Sequence, residues 1–590
     1  MVSYETDDYN DMFFNPELCI PYEYITTKEQ LLKHVKAIKE SPAIGIDTET
    51  TGLQPFTTKI RLIQIAVSDL SYPVLILDLF KMRDVFCILK ELFVSPAVKV
   101  FHNASYDLLM LKTHNIPVTG NIFDTMIAAQ VVECGVRTKG FKLKQVVKKY
   151  LNQDMSKEEQ VSDWTKEELT LNQLNYAAKD ARVLIELREI LKKEIIKEKL
   201  VKIAALEFNC IPAVVEMEYN GVYLNTEKWD VLTQKYEEEM LIHQKQLLDF
   251  LGEAVNINSP EQLVDAFRKK AIYIDDTSNA TLVLNQDIYP ELKWLVDYRK
   301  YNTALKMFLW EMTKWINPVT KRIHSRYFQI GSRSGRFSCE KPNIQQIPGD
   351  KKFRECFQPE FNDTVFCRAD FSQIELRVAA AVSNDPVMIE AYKKGEDLHS
   401  LTASLINNKN IADISKKERQ SSKPLNFGLI YGMSADTLKN YAEINYGVKM
   451  SLEEAYNYRN KFFKNYSGIH RWHYMQAHRG KTTKETKTVW GRKRRWLNEP
   501  SVTELYNTPI QATACDILKL ALGNLINNLK ETSGKILGTI HDEILIECNI
   551  GEAQEVGKIL QQTMEDAGRE IIKEVPIIAE FSVGKSFADK

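Results

Sequence analysis

Residues 43–78 read AIGIDTETTGLQPFTTKIRLIQIAVSDLSYPVLILD. Three short apolar runs, AIGID, RLIQIAV and PVLILDL, have the length of strands and are parted by polar, turn-forming residues. The first ends in a carboxylate cluster, Asp47-Thr-Glu49-Thr. Two acids two apart at a strand end project from the same side of it. VKVFHNASYDLLMLKTH (98–114) reads as a strand running into a helix, and 139–191 as mostly helical around a polar stretch at 152–163. The sum is an α/β domain over about residues 25–195.

Beyond it the pattern changes. Residues 196–330 carry long helical stripes, YEEEMLIHQKQLLDFL and LVDYRKYNTALKMFLWEM among them. TVFCRAD (364–370) reads as a strand followed by the helix QIELRVAAAV, and 385–500 as largely helical. KILGTI and EILIEC are strand-like runs with His541-Asp542-Glu543 at the hairpin tip between them. No internal repeat or low-complexity linker is present.

Composition narrows the class. At roughly 150 residues per domain, 590 residues make three to five domains or subdomains. A 44% hydrophobic, 27% charged chain is globular, which excludes collagen-like, mucin-like and globally disordered readings. Lys plus Arg number 78 against 79 acids, so a uniformly basic DNA-coating protein is excluded, but a local basic cleft is not. Nine scattered cysteines without a CxxC pair argue for free thiols in a reducing compartment. The acidic N-terminus lacks signal-peptide character and no apolar run reaches about 18 residues, so a soluble intracellular protein is expected.

Asp47 and Glu49 are joined by two further elements. Asn103 and Asp107 stand four apart, as do Tyr176 and Asp180, and helical spacing places each pair on one face. Four carboxylates (Asp47, Glu49, Asp107, Asp180) are costly to gather without a cation. Two Mg2+ or Mn2+ ions about 4 Å apart would neutralise them and serve phosphodiester cleavage, with Tyr176 orienting the attacking water.

A second set lies downstream. Asp370 ends a strand, and Glu375 is read as one and a half turns into the segment after it. Arg419, Lys423, Phe427 and Tyr431 are spaced by four, so they run along one side of a helix. A core would not choose Arg and Lys, and a solvated face would not choose Phe and Tyr. The stripe suits a nucleoside triphosphate, with phosphates on the cations and sugar and base on the rings. Pro424 within the stripe predicts a kink or a lost hydrogen bond. Asp370 and Asp542 together could form a second two-metal site. In GRKRRW (491–496), phosphate contact is slightly favoured over a solvated loop.

DTET, HNASYD and YAAKD resemble the three motifs of the DEDDy 3′–5′ exonucleases, whose domain has a ribonuclease-H-like fold; Asp124 fits that pattern as a structural residue. The three later segments resemble motifs A, B and C of the family A DNA polymerases, and the resemblance runs from about residue 25 to the C-terminus. SGRFSCEKPNIQQIP, GEDLHSLTA and YNTPIQATACDILKLA are similar to further segments of that family. The pattern is nearest the short two-domain polymerases of Aquifex-type bacteria, their viruses and apicomplexan plastids.

The resemblance implies a role for each of these residues. Asp370, Asp542 and the Phe371 carbonyl bind metal. Arg419, Lys423 and His399 hold the triphosphate, with Lys423 also able to protonate pyrophosphate. Gln373 lies at the nucleotide, Glu375 with Phe427 blocks a ribose 2′-hydroxyl, and Tyr431 stacks beside the templating position. Arg336, Asn343, Gln345, Asn507 and Gln511 grip primer-template, while His541 and Glu543 lie near the primer end. Phe371, Pro424, Gln346, Thr503 and Gly349 depart from the family's usual residues.

The fold expected is therefore a multidomain α/β chain: an N-terminal extension (1–24), a ribonuclease-H-like exonuclease domain (25–195) and a right-hand polymerase domain (196–590). Within the latter the thumb falls at about 226–330, the palm at 196–225, 331–384 and 505–590, and the fingers at 385–504. The function implied is template-directed DNA synthesis with proofreading and no 5′-nuclease. Two Mg2+ or Mn2+ per site are implied as cofactors. The partners are primer-template DNA, dNTPs and a single-stranded 3′ end, with no membrane, and the protein is a monomer. The rivals are a single-subunit RNA polymerase, a dead DNA-binding scaffold and a pure exonuclease. Glu375, the six intact acids and the complete stripe argue against them in turn.

Overall fold

The computed structural model describes residues 20–82, 84–136, 140–155, 162–252 and 255–589. Residues 1–19 of the expected extension and 156–161 of the polar stretch lie outside them. The chain divides into two units: the first runs to Ile211 apart from Cys134–Val136, and the second comprises those three residues and Pro212–Lys590.

The strands of the first unit are β1 (Tyr22–Ile25), β2 (Ala43–Thr50), β3 (Ile60–Val67), β4 (Val74–Asp78), β5 (Val98–Phe101) and β6 (Ile122–Asp124). They form one mixed sheet in the order β1-β4-β3-β2-β5-β6. β3 is antiparallel to both neighbours and buried along its whole length, its apolar run interrupted only by Arg61, which pairs with Asp78, and by Gln64. The helix Leu171–Lys197 lies against β2, β3 and β4. It opens with a capping box, Thr170 accepting from the Gln173 N–H while the Gln173 side chain reaches back. Gly45 sets how closely that helix approaches, because a Cβ there would stand 2.7 Å from the Ala181 carbonyl oxygen.

Two local expectations change here. β2 continues to Thr50, so Asp47 and Glu49 lie inside the strand rather than at its end. Asn103 is not on the helical face of Asp107: it precedes the helix Ala104–Thr113 with φ +66°. The cause is Asp124, which accepts from the N–H groups of Asn103 (3.1 Å) and Ala104 (2.7 Å) while capping its own helix through Met126 and Ile127. That carboxylate holds the turn in place and acts structurally.

The strands of the second unit are β7 (Arg326–Phe328), β8 (Ser338–Glu340), β9 (Thr364–Phe371), β10 (Glu485–Lys487), β11 (Lys493–Arg495), β12 (Lys535–Ile540), β13 (Glu543–Asn549) and β14 (Ala579–Gly584). Its main sheet is antiparallel, in the order β12-β13-β9-β14. The helix Ala553–Ile571 covers β9 and β14 and packs on the helix Val502–Asn528. The helices Thr226–Leu251 and Leu292–Ala304 pack together, with Leu247, Leu263, Phe267, Leu282, Leu292 and Leu295 in a separate apolar cluster. Five helices, from Leu398–Asn407 to Ser467–Thr483, fill most of 398–483.

Glu375 sits in the first turn of the helix Ile374–Ser383, not one and a half turns in. Glu543 is the first residue of β13, so the hairpin tip is His541-Asp542 alone. The region expected to be largely helical contains the β10–β11 hairpin, because GRKRRW supplies an arm whose three arginines are engaged within the protein. Arg492 and Arg494 are buried, Arg492 pairs with Asp516 (2.7 Å), Arg494 lies over Trp496 and Arg495 pairs with Glu485 (2.8 Å). Two of the four cations in this cluster, Arg492 and Arg495, are thereby held by acids within the protein. Pro424 lies inside the helix Lys416–Ile430 without ending it. Among the described residues no helix is long and apolar enough to cross a membrane.

Candidate active sites

In the first unit, β2 and the helix Leu171–Lys197 bring Asp47, Glu49 and Asp180 together, with carboxylate oxygens within 4.8 Å of one another. Asp107 is buried beside them and accepts from Thr48 Oγ1 at 2.6 Å. Thr48, between the two acids of β2, is a support that sequence reasoning passed over.

Burial and mutual repulsion keep this group from ionising easily. Burial pushes Asp47 up to about 7. It also raises Glu49, Asp107 and Asp180 well above the usual carboxylate range, with the charge of Asp47 adding to each. Among the described residues none of Asp47, Glu49 or Asp180 has a Lys or Arg ion-pair partner, and Asp180 Oδ1 is buried without a hydrogen bond. Hard oxygen donors, excess negative charge and a free ligand atom fit a divalent cation such as Mg2+ or Mn2+. Burial, then the charges of Asp180, Glu49 and Asp47, hold the Tyr176 phenol far above its ordinary value. It therefore stays protonated at neutral pH.

In the second unit the sheet register does the assembling. Glu543 pairs with Asp370 across β13 and β9, so Asp542, one residue earlier, stands beside Asp370. Burial and then the Asp370 charge raise Asp542 to about 7. Two neighbouring carboxylates of this kind fit the same class of cation. Glu543 is different. It is buried, with Arg368 at 2.7 Å and Arg354 at 3.3 Å on its two oxygens.

Asp542 lines a cleft of about 550 Å³. Arg336, Asn343, Gln345, Gln511 and His541 lie on its walls, as do Gln373, Glu375 and Phe427. Glu375 is a junction, accepting from Arg336 on one oxygen and from the Tyr431 hydroxyl on the other. Asn343 caps a single turn through the Gln345 N–H, and Gln345 donates to the Thr539 carbonyl. Asn507 has a buried Oδ1 without a hydrogen bond.

The predicted stripe is present along the helix Lys416–Ile430, with Tyr431 as its C-cap. Lys423 has no hydrogen bond or ion pair among the described residues. Arg419 forks onto Asp397, a residue absent from the sequence-level site. Burial raises the Asp397 carboxyl, but hydrogen bonds from Arg419 and Ser400 outweigh it and hold the group well below the usual range. His399 is buried, and that burial lowers it to about 4. Asn426 Nδ2, which can only donate, lies 2.8 Å from His399 Nδ1, so that ring nitrogen accepts. The imidazole is thus neutral, with its proton on Nε2.

Two family models match the chain: 3′–5′ exonuclease over residues 22–196 and DNA polymerase family A over 226–589. DNA polymerase I of Aquifex aeolicus is 35% identical, over 95% of this chain and 98% of that protein. DNA polymerase I of Borreliella burgdorferi is 29% identical over 97% of this chain, which spans 65% of that relative. The polymerase domain of Pol1 from M. smegmatis, solved with DNA primer-template and dNTP, superposes with a TM-score of 0.83. It is 23% identical, over 95% of this chain and 98% of that one, and shares the fold.

Proposed function

The chain belongs to DNA polymerase family A, with a 3′–5′ exonuclease domain ahead of its polymerase domain, and on that premise we propose which residues carry the two reactions. It is a template-directed DNA polymerase with proofreading. Both families depend on divalent metal. The observation that carries the assignment is Asp542 standing beside Asp370 at a cleft also lined by Glu375, Phe427 and Gln511.

On this reading Asp370, Asp542 and the Phe371 carbonyl hold Mg2+ or Mn2+, two per site, as do Asp47, Glu49, Asp107 and Asp180. When bound, the ions activate the attacking oxygen and stabilise the leaving one. Arg419, Lys423 and His399 receive the triphosphate of a dNTP, His399 by donating from Nε2. Lys423 protonates the departing pyrophosphate. Gln373 orders the nucleotide side of the cleft. Glu375 and Phe427 close the space a 2′-hydroxyl would need, and Tyr431 packs beside the templating position. Arg336, Asn343, Gln345, Asn507, Gln511 and His541 grip primer-template. Glu543, pinned by Arg354 and Arg368, keeps the hairpin bearing Asp542 in register with Asp370.

In the exonuclease, protonated Tyr176 orients the attacking water and the unpaired 3′ end of single-stranded DNA is the substrate. A frayed end is cheaper to deliver than a paired one. We assign 25–195 to the exonuclease and 196–590 to the polymerase, with thumb, palm and fingers at the boundaries expected from sequence, and a monomer as the working form.

Primer extension on a 5′-labelled primer-template with Mg2+ tests this. Extension with dNTPs but not rNTPs, and primer shortening without nucleotide, are expected. Asp542→Ala should abolish extension alone and Asp47→Ala shortening alone. Loss of both activities in either variant would overturn the residue assignment.

A further inference from the structure

We propose that Asp397 is a positioning residue for nucleotide entry: an internal anion that holds Arg419 until a triphosphate takes its place. Arg419 donates from Nε to Oδ2 at 2.8 Å and from Nη2 to Oδ1 at 2.9 Å. This two-pronged geometry is the one a guanidinium offers a phosphate. The carboxylate therefore occupies, on Arg419, the donors that a triphosphate would use.

The anion is fixed and its cation is the exchangeable partner. Asp397 caps the helix Leu398–Asn407, accepting from the Ser400 N–H and Oγ, both at 2.8 Å. Gln373, from the turn after Asp370, donates to Oδ1 at 3.1 Å and itself accepts from the Tyr392 hydroxyl at 3.2 Å. These donors are neutral; Arg419 is the only cation paired with Asp397 among the described residues. The Arg419 side chain remains 40% exposed and that of Asp397 29%, so the pair meets solvent and can open. A pair buried for stability alone would be closed to water, as Arg492–Asp516 is.

The surroundings give the exchange its direction. His399 follows Asp397 by two residues, and Lys423 lies one turn beyond Arg419 on the same stripe. An anion drawn to His399 Nε2 and Lys423 meets a guanidinium already engaged by a carboxylate. Binding then requires Arg419 to leave Asp397, and in that exchange the carboxylate opposes nucleotide binding. For a half-exposed ion pair the paired state is favoured by about fivefold. Apparent affinity falls by about that factor, because only the released fraction is competent.

The inference rests on the reading that Arg419 receives the triphosphate, and the test separates the two. KM for dNTP and kcat are measured by primer extension with the full chain, for wild type, Asp397→Asn, Arg419→Ala and the double variant. Asparagine caps a helix as well as aspartate, and it removes the charge together with the second acceptor oxygen of the fork. Asp397→Asn should lower KM about fivefold with kcat within about twofold, and should tighten inhibition by inorganic tripolyphosphate to a similar degree. In the Arg419→Ala background the same change should leave KM where it is. An unchanged or raised KM for Asp397→Asn, with Arg419→Ala raising KM as expected, overturns the proposal alone. If Arg419→Ala does not raise KM, both the proposal and the reading beneath it fall. The unfolding transition of each variant checks folding, and Asp397→Ser, another uncharged cap, replaces Asp397→Asn if that variant is unstable.

Discussion

Gln64 stands directly across the sheet from Asp47, fully buried, with neither its amide nitrogen nor its amide oxygen in a hydrogen bond. Directly paired residues of antiparallel strands share a face. The amide is therefore on the side of the sheet that carries the exonuclease acids. An unbonded buried amide costs about 1–3 kcal/mol. Gln64→Met keeps the length and drops the polar atoms, so the metal-free chain should gain about 1 kcal/mol. Urea denaturation in a chelator measures this, and a loss of stability would mean that the amide is satisfied in solution.

The raised carboxyls predict how metal-free stability varies with pH. Asp47 and Asp542 both stand at about 7 in the folded chain, against about 4 for an unfolded aspartate. Between those values the native state holds more protons than the unfolded one, so stability falls as pH rises from about 4 to about 7. Saturating Mg2+ favours the ionised native form and should flatten the decline. Thermal unfolding across that window, with Mg2+ and with a chelator, checks both the sign and its cancellation.

The buried Arg492–Asp516 pair makes a different prediction. Asp516 also accepts from Thr488 at 2.9 Å, and nearby Lys519 donates to the Gly335 carbonyl at 2.7 Å, beside Arg336. Removing one partner of such a pair costs about 3–5 kcal/mol, because the other charge is left buried and alone. Asp516→Ala and Arg492→Ala should each lower stability by that order. Neither Arg492→Ala nor Arg494→Ala should change the slope of DNA affinity against salt, which counts phosphate contacts. A shallower slope in a folded variant would show that these arginines contact phosphate.

The acids and the Arg419-to-Tyr431 stripe are legible in the sequence because their chemistry is local: spacing in a strand or helix places them, and few folds tolerate such groups without a ligand. The features hidden from sequence depend on contacts between distant segments. Nothing near Asn103 announces that Asp124, 21 residues on, will hold its turn in the left-handed region. GRKRRW reads as an unmatched basic cluster because its matching acids, Asp516 and Glu485, lie elsewhere in the chain. Asp397 escapes notice for the same reason. In sequence it is a helix cap, and only the packing of its helix beside Lys416–Ile430 brings Arg419 to it.

Glu375 carries two contacts at once, to Arg336 and to the Tyr431 hydroxyl, and these separate its possible contributions to sugar selection. If the carboxylate excludes a 2′-hydroxyl by occupying space, Glu375→Gln preserves the exclusion, since the amide has nearly the same volume and still accepts from Tyr431. Glu375→Ala opens the space and releases Arg336 and Tyr431 together. The ratio of kcat/KM for a dNTP over the matching rNTP should then fall by about tenfold or more for alanine, the scale of a hydroxyl newly accommodated, and by much less for glutamine. Both variants lose the ion pair with Arg336, so both should extend more slowly with dNTPs. If glutamine admits rNTPs as freely as alanine, charge rather than bulk sets the selection. A Tyr431→Phe variant then shows whether the hydroxyl contact is what keeps the carboxylate in place.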